Sequence, residues 1–361
     1  MVHLGEGLYW RSFSSMDITK EDTMKYLSLF SGIEAFSQAV HDFGWTCVGV
    51  SEIDPFACAV LEHHYPNVLN LGDITKITKE KLDAIKREHG AIDIVVGGSP
   101  CQSFSVAGLR KGLDDPRGNL MLEYIRIVAT VCPRWFIWEN VTGVLSSKEG
   151  SDFGSLLQAM AQFGYSLCWR VLDAQHFGVP QRRRRVFLIG CLDKADSPFK
   201  VLFECPSSKR NTHASRETRQ SNLAKAERST GEHGTNRRGE SNEKVVYHSN
   251  HRSIPPKEHS TCPTLMAWMG TGGNNIPMKL EHRHEQQKVQ SKVRKLTPIE
   301  CERLQGFPDN YTQIPYKKKK TEDCPDFPRY KALGNSMAVP VMRWIACRIA
   351  LVDDVLVPSF R

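Results

Sequence analysis

The sequence lacks any C-x-x-C pair, although it holds 11 cysteines. That excludes a zinc ribbon, and an odd number without regular spacing argues against a disulfide framework. Most of the cysteines are expected to be small buried hydrophobes. A cysteine with another task has to be revealed by its surroundings. Also missing is an apolar run near the roughly 18 residues needed to cross a bilayer. The first stretch, MVHLGEGLYWRSFSSMDITKEDTMKYL, has no basic segment followed by an apolar one, so no secretory signal is read and the cytoplasm is the expected location. The pyrophosphate fingerprint G-x-G-x-x-G is absent as well, because residues 30–35 read FSGIEA. No internal repeat and no metal-ligand set is visible.

What is present suits a globular chain of one large core plus a smaller second domain. It has 361 residues, 40% hydrophobic and 24% charged. Lys plus Arg (48) exceeds Asp plus Glu (40), a net +8 that favours a polyanionic partner. The clusters are more telling: RRRR at 182–185, KKKK at 317–320 and scattered basic residues across 209–257. The lysine run reads as a phosphate contact or as a mobile loop.

Along the chain, KYLSLFS (25–31) predicts a strand. A helix follows it, with Ile33, Phe36, Ala39, Val40 and Phe43 on one face and Gly44 as its stop. TCVGVSE (46–52) predicts a second strand, and PFACAVLEHHY a helix opened by Pro55. IDIVVGG (92–98), WFIWEN (135–140) and RVFLIG (185–190) are too apolar for a one-sided sheet. Alternation with amphipathic helices therefore predicts an α/β fold with a mostly parallel sheet covered on both faces. Residues 207–244 carry almost no large apolar side chain and read as a flexible polar segment. Apolar character returns over 245–280 around the turn signal GTGGNN. Thr297-Pro298-Ile299-Glu300 is a capping box opening a helix that stops at Gly306, and a last apolar helix covers about 337–352.

The chemistry gathers at strand ends. Glu52 closes the second strand, where an acid can bind ribose hydroxyls, and Phe30-Ser31-Gly32 closes the first. A nucleoside ligand without a pyrophosphate needs no glycine cradle, which favours S-adenosylmethionine over a nicotinamide dinucleotide. The stretch DIVVGGSPCQSFSVAG (93–108) delivers Cys101, held by Pro100, to a third strand end, where nearby backbone amides can stabilise a thiolate. RWFIWENV (134–141) presents Glu139 at the next strand end. In an apolar cleft such a carboxyl stays protonated near neutrality. A thiolate beside a protonated acid is the pair that adds across a pyrimidine 5,6 double bond. In QRRRR (181–185), an extended backbone places Arg183 and Arg185 on one face and Arg182 and Arg184 on the other.

The ordered set FSG, SEID (51–54), GDI (72–74), GGSPCQSFS (97–105), ENV (139–141), QRRRR and GNS (334–336) resembles the bacterial and phage DNA (cytosine-5)-methyltransferase family over about 25–195 and 293–347. That resemblance implies a Rossmann-like, S-adenosylmethionine-dependent fold with a small target recognition domain. It makes Cys101 the nucleophile, Glu139 the cytosine-holding acid, and Arg183 and Arg185 active-site arginines. Cofactor contacts are implied at Phe30, Ser31, Gly32, Ile33, Glu52, Ile53, Asp73, Ile74, Pro100, Leu120, Asn335 and Ser336. Glu34-Ala35 departs from the Gly-Gly of many members. The implied organisation is an N-terminal extension (1–24), a catalytic domain (25–200), a recognition region (201–292, with Thr264-Leu265 like the family's Thr-Leu pair) and a return to the catalytic domain (293–361). The expected reaction is methylation of C5 of a flipped-out cytosine in a specific double-stranded DNA sequence. The implied enzyme is a nucleoid-associated monomer, with a cognate restriction endonuclease as a candidate companion in the same system. Two alternatives stand beside it: a transfer-RNA cytosine-5 methyltransferase, whose Cys-Phe-Thr signature is missing here, and a catalytically inactive DNA-binding protein.

Overall fold

The apolar runs form strands whose side chains alternate between two cores, as a two-residue period requires. The computed structural model describes residues 23–100, 120–192, 195–203, 246–251, 254–259, 261–265, 278–285 and 288–356. Strand β1 is Lys25–Leu29, β2 Thr46–Ser51, β3 Ile94–Gly97 and β4 Trp135–Val141. Two further strands, β5 (Ser166–Asp173) and β6 (Arg184–Cys191), complete a six-stranded sheet in the order β2-β1-β3-β4-β6-β5. Ile94, Val96, Trp135, Ile137, Phe187 and Ile189 face one core; Val95, Phe136, Trp138, Val186 and Leu188 face the other. Each such large side chain, fully buried, contributes roughly 1.5–3 kcal/mol.

The helices cover both faces. On the second face lie α3 (Lys79–His89), α4 (Leu120–Val131) and α5 (Ser151–Gln162), through Leu82, Tyr124 and Leu156 among others. The first face takes α1 (Ala35–Val40), α2 (Pro55–His64) and α6 (Ser197–Leu202). It is completed by the returning chain: α7 (Pro298–Gln305), α8 (Asp326–Asn335) and α9 (Val339–Leu356). The expected capping box opens α7, with Thr297 and Glu300 bonded reciprocally, and Gly306 ends it at φ 81°. Helix α9 is fastened to the middle of the sheet by the Trp135 indole, which donates to Asp353 at 3.1 Å.

The pairing differs from a uniformly parallel sheet in one place. Pairs β1–β2, β1–β3 and β3–β4 are parallel, whereas β6 runs antiparallel between β4 and β5. The sequence reading names no strand over 166–173. SLCWRVLD there forms a half-exposed edge strand, without the unbroken apolar run that marks the inner ones. A second, antiparallel sheet of four strands lies between β6 and α7: β7 (Val246–His251), β8 (Ile254–His259), β9 (Met278–Glu285) and β10 (Lys288–Lys295). The expected polar segment at 207–244, most of the N-terminal extension and the GTGGNN turn lie outside the described residues. The lysine run forms a tight reverse turn rather than an open loop. Tyr316 and Lys319 exchange main-chain hydrogen bonds across Lys317 and Lys318, both at positive φ. Among the described residues no helix is long and apolar enough to cross a membrane.

Candidate active site

The topology brings the motifs to one edge. Strands β1 to β4 are mutually parallel and end there, and β6, running the other way, begins there with Arg185 paired to Val141. The antiparallel insertion is what carries QRRRR to the carboxyl ends of the other strands, where α/β sheets hold their ligands.

At the end of β4, Glu139 lies against β3. A Cβ on Gly98 would stand 3.0 Å from Glu139 Oε2 and 3.1 Å from its carbonyl oxygen, so any larger residue there would push Glu139 back by a few tenths of an ångström. The Nε of Arg185 is 3.2 Å from Glu139 Oε1. Burial pushes the Glu139 carboxyl above the usual range, and the charges of Arg183 and Arg185 pull the other way. The turn after β3 is pinned from β4: Asn140 Nδ2 donates to the Ser99 carbonyl at 2.8 Å and the Trp138 indole to Ser99 Oγ at 3.1 Å. Pro100 is exposed, and Cys101, the expected nucleophile, lies outside the described residues. Asn140 stands inside a quoted motif, but its task was not legible there because its partner is a main-chain carbonyl.

The arginine run alternates as expected: Arg182 and Arg184 are exposed, Arg183 buried and Arg185 partly buried. The two inward arginines then part ways. Arg185 reaches Glu139, whereas Arg183, 4% exposed, donates to the carbonyls of Leu265 (2.9 Å), Gly334 (3.2 Å) and Ser336 (2.7 Å). Burial, joined by the charge of Arg185 and opposed by Glu139, takes the Arg183 guanidinium down to about 9. Gln181, fully buried, accepts from Leu265 N at 3.1 Å and donates to Leu304 O at 2.9 Å and to Gln305 Oε1. Gln305 donates on to Leu333 O at 2.6 Å. Neither glutamine was singled out from sequence; the signal in Gln181 was its place at the head of QRRRR.

The other half of the edge belongs to β1 and β2. Phe30 takes φ 53°, a strained value for a side chain of its size. Ser31 donates from N to the Ser51 carbonyl at 3.1 Å and from Oγ to the Ser28 carbonyl at 3.0 Å. The Glu52 carboxylate accepts from Gly32 N at 2.7 Å and from Ile53 N and Asp54 N at 2.8 Å each. Ile53 beside it is 69% exposed, an apolar side chain left for a flat ring to cover. Asp73 caps a short turn through Thr75. That pair of hydrogen bonds keeps its carboxyl below the ordinary range. Ile33 and Ile74 are buried, and the Ile33 carbonyl accepts from Tyr311 Oη at 2.8 Å. Leu120 opens α4, Asn335 is exposed at the end of α8, and Ser336 is buried beside it. A carboxylate with a lone pair to spare, an exposed apolar face and no phosphate cradle fit a nucleoside without a pyrophosphate. Glu34, at the departure from Gly-Gly, adopts φ 63° and caps α1 by accepting from Ser37 N. It is buried, and burial pushes its carboxyl up to about 7.

The comparisons agree with this architecture. The family model described as C-5 cytosine-specific DNA methylase matches residues 24–350. The chain is 32% identical to a protein of Escherichia phage P1 named DNA N-6-adenine-methyltransferase, over 90% of this chain and 61% of that one. It is 30% identical to the Type II methyltransferase M.MspI of Moraxella sp., over 91% of this chain and 70% of that one. The chain spans 61% of the length of the phage P1 relative and only 33% and 37% of two Bacillus phage relatives. The structure of the S. pombe Dnmt2 methyltransferase superposes with a TM-score of 0.59 at 21% identity, covering 92% of this chain and 99% of that one, which shows the shared fold. With the family match running from before β1 into α9, the chain belongs to the C-5 cytosine-specific DNA methylase family.

Proposed function

We propose that the chain methylates C5 of a cytosine within a specific double-stranded DNA sequence. One observation carries the reading: Glu139, partly buried, held against Gly98 and paired with Arg185, lies beside the pinned turn that leads into Cys101. Cys101 forms a bond from sulfur to C6 of an extruded cytosine, and the electron pair of the 5,6 double bond moves to C5. Glu139, whose carboxyl burial pushes up against the pull of Arg183 and Arg185, holds the ring at N3, and Arg185 steadies the base carbonyl. S-adenosylmethionine, when bound, supplies an electrophilic methyl group. Loss of the C5 proton to a base then restores the double bond and expels the Cys101 thiolate. Phe30, Ser31, Gly32, Ile33, Glu52, Ile53, Asp73, Ile74, Pro100, Leu120, Asn335 and Ser336 form the cofactor site.

The same reading assigns residues 201–292 to target recognition. Base edges there supply specificity, and lysines and arginines on phosphates supply register. It makes the enzyme a monomer working on the nucleoid in the cytoplasm, with a cognate restriction endonuclease as a candidate companion in the same system.

The test is expression in a host without cytosine methylation, followed by bisulfite sequencing and nucleoside analysis of its DNA. Protected cytosines in one short context, lost in Cys101→Ser while cofactor binding persists, are the expected result. N6-methyladenine instead would transfer the phage P1 relative's named activity to this chain. Adenine's exocyclic amine is itself a nucleophile and needs no thiol adduct, so Cys101→Ser would then remain active. Unmodified DNA from cofactor-binding protein would move the substrate to RNA or make the chain an inactive binder.

A further inference from the structure

Two buried side chains tie the segment around Leu265 to the turn at Gly334–Ser336. Arg183 grips Leu265 O with one guanidinium nitrogen and Gly334 O and Ser336 O with another. Gln181 grips Leu265 N, and through Gln305 the same chain of bonds reaches Leu333 O. Around them, Cys262 N donates to Pro180 O and Arg182 N to Cys262 O, both at 2.8 Å, and Thr264 Oγ1 donates to Arg182 O at 2.5 Å. Four segments that are far apart in sequence, 180–183, 262–265, Gln305 and 333–336, therefore share one set of bonds. One of them enters the recognition region, and another ends in the cofactor candidates Asn335 and Ser336.

A buried donor whose carbonyl moves away is left unpaired, which is costly, and most of all for a charged group. The Arg183 guanidinium is spent on main-chain carbonyls, and its Nε is buried without a partner among the described residues. A shift of Leu265 therefore cannot be absorbed locally. It is passed to the Gly334–Ser336 turn or it breaks the set. Arg185, one step along the same face, makes no such link; its partners are Glu139 and its own neighbour Arg184.

We propose that Arg183, with Gln181, is a positioning residue that couples occupancy of the recognition region by duplex DNA to the affinity of the cofactor site. The proposal rests on the DNA-methyltransferase reading, but its readout is binding rather than methylation, so the two fail separately. S-adenosylhomocysteine affinity is measured by calorimetry on the full chain, with and without duplex bacterial genomic DNA, for wild type, Arg183→Lys and Arg185→Lys. In the wild type, DNA tightens S-adenosylhomocysteine by about fivefold or more, the ordinary span of such couplings. In Arg183→Lys the ratio falls towards one, and in Arg185→Lys it is retained. A merely structural Arg183 would weaken binding equally with and without DNA and leave the ratio intact, which overturns the proposal. So does a wild-type ratio of one. Should Arg183→Lys not fold, hydrogen exchange on the wild type decides. S-adenosylhomocysteine alone slows exchange of the Leu265 amide if the link exists, and unchanged exchange there refutes it.

Discussion

Glu52 and Glu139 end two strands at the same edge of the sheet, and the chain holds them in opposite ways. Glu52 accepts three main-chain N–H groups from the turns beside it, which fix its direction without any basic side chain. Glu139 faces a glycine and one arginine, in surroundings that raise its affinity for a proton. The first arrangement suits a carboxylate that only has to accept hydroxyl hydrogens. The second suits one that must offer a proton to a ring nitrogen. On the proposed function, one edge of one sheet supplies a binding acid and a reacting acid, separated by how many backbone donors each receives.

The largest expected effect comes from breaking the reacting side. Glu139→Gln keeps the shape but has no acid, and turnover should fall by about 10²–10⁴-fold, the usual weight of a positioned acid or base. S-adenosylhomocysteine affinity should stay within a few-fold of wild type, since Glu139 is not among the cofactor contacts. The pH profile sharpens the point. On the proposed reading Glu139 works as an acid, and burial raises its carboxyl, so wild-type turnover should decline as pH rises through the raised value, and the residual turnover of Glu139→Gln should not follow that limb. An unchanged limb in the variant would remove Glu139 from the proton-donating role.

Breaking the binding side should look different. Glu52→Gln turns one of the two oxygens into an amide N–H₂ that meets backbone N–H donors, a mismatch of about 1–3 kcal/mol. Cofactor affinity should drop by roughly tenfold to a hundredfold on that scale, while turnover at saturating S-adenosylmethionine changes little. If Glu52→Gln lowered the saturated rate as Glu139→Gln does, the division between the two ends would be wrong.

Much of this comparison was legible in the sequence because both acids end short apolar runs of strand type, although Glu52 closes the edge strand β2 and Glu139 the inner strand β4. The two-residue period also sorted the arginine run correctly into Arg182 and Arg184 outside, Arg183 and Arg185 inside. It did not separate Arg183 from Arg185. Both point inward, and only the approach of Leu265, Gly334 and Ser336, remote in sequence, decides that one is spent on carbonyls. The antiparallel run of β6 was not legible either. An inner strand reads as apolar in either direction, and β5 at the edge has too few buried positions to announce itself. Asn140, Gln181 and Gln305 escaped for one shared reason: each acts on main-chain atoms, which leave no residue type to read.

A third carboxyl has its effect on stability rather than on turnover, and gives the sharpest test of what burial does here. Glu34 is more deeply buried than Glu139 and sits two residues past Gly32, the turn that Glu52 holds. Its Oε1 accepts from Ser37, and its Oε2 lies buried without a hydrogen bond of good geometry. Burial carries the carboxyl from its ordinary 4.5 up to about 7, against the Ser28 and Ser37 hydroxyls and with help from the charge of Glu52. The folded state thus holds a proton that the unfolded chain releases near 4.5. The neutral form's stability is complete below 4.5, is lost as pH rises to about 7, and changes no further above that. The whole loss is on the order of 3 kcal/mol, from 1.36 kcal/mol for each pH unit between the two values. Glu34→Gln carries the same shape without the titration. Urea unfolding of the two proteins should give nearly equal stabilities at pH 4.5, and the variant should be the more stable by about that amount at pH 8. Equal differences at both pH values would mean that Glu34 is charged or neutral throughout. The buried acid behind the cofactor turn would then be as passive as Glu52 is proposed to be.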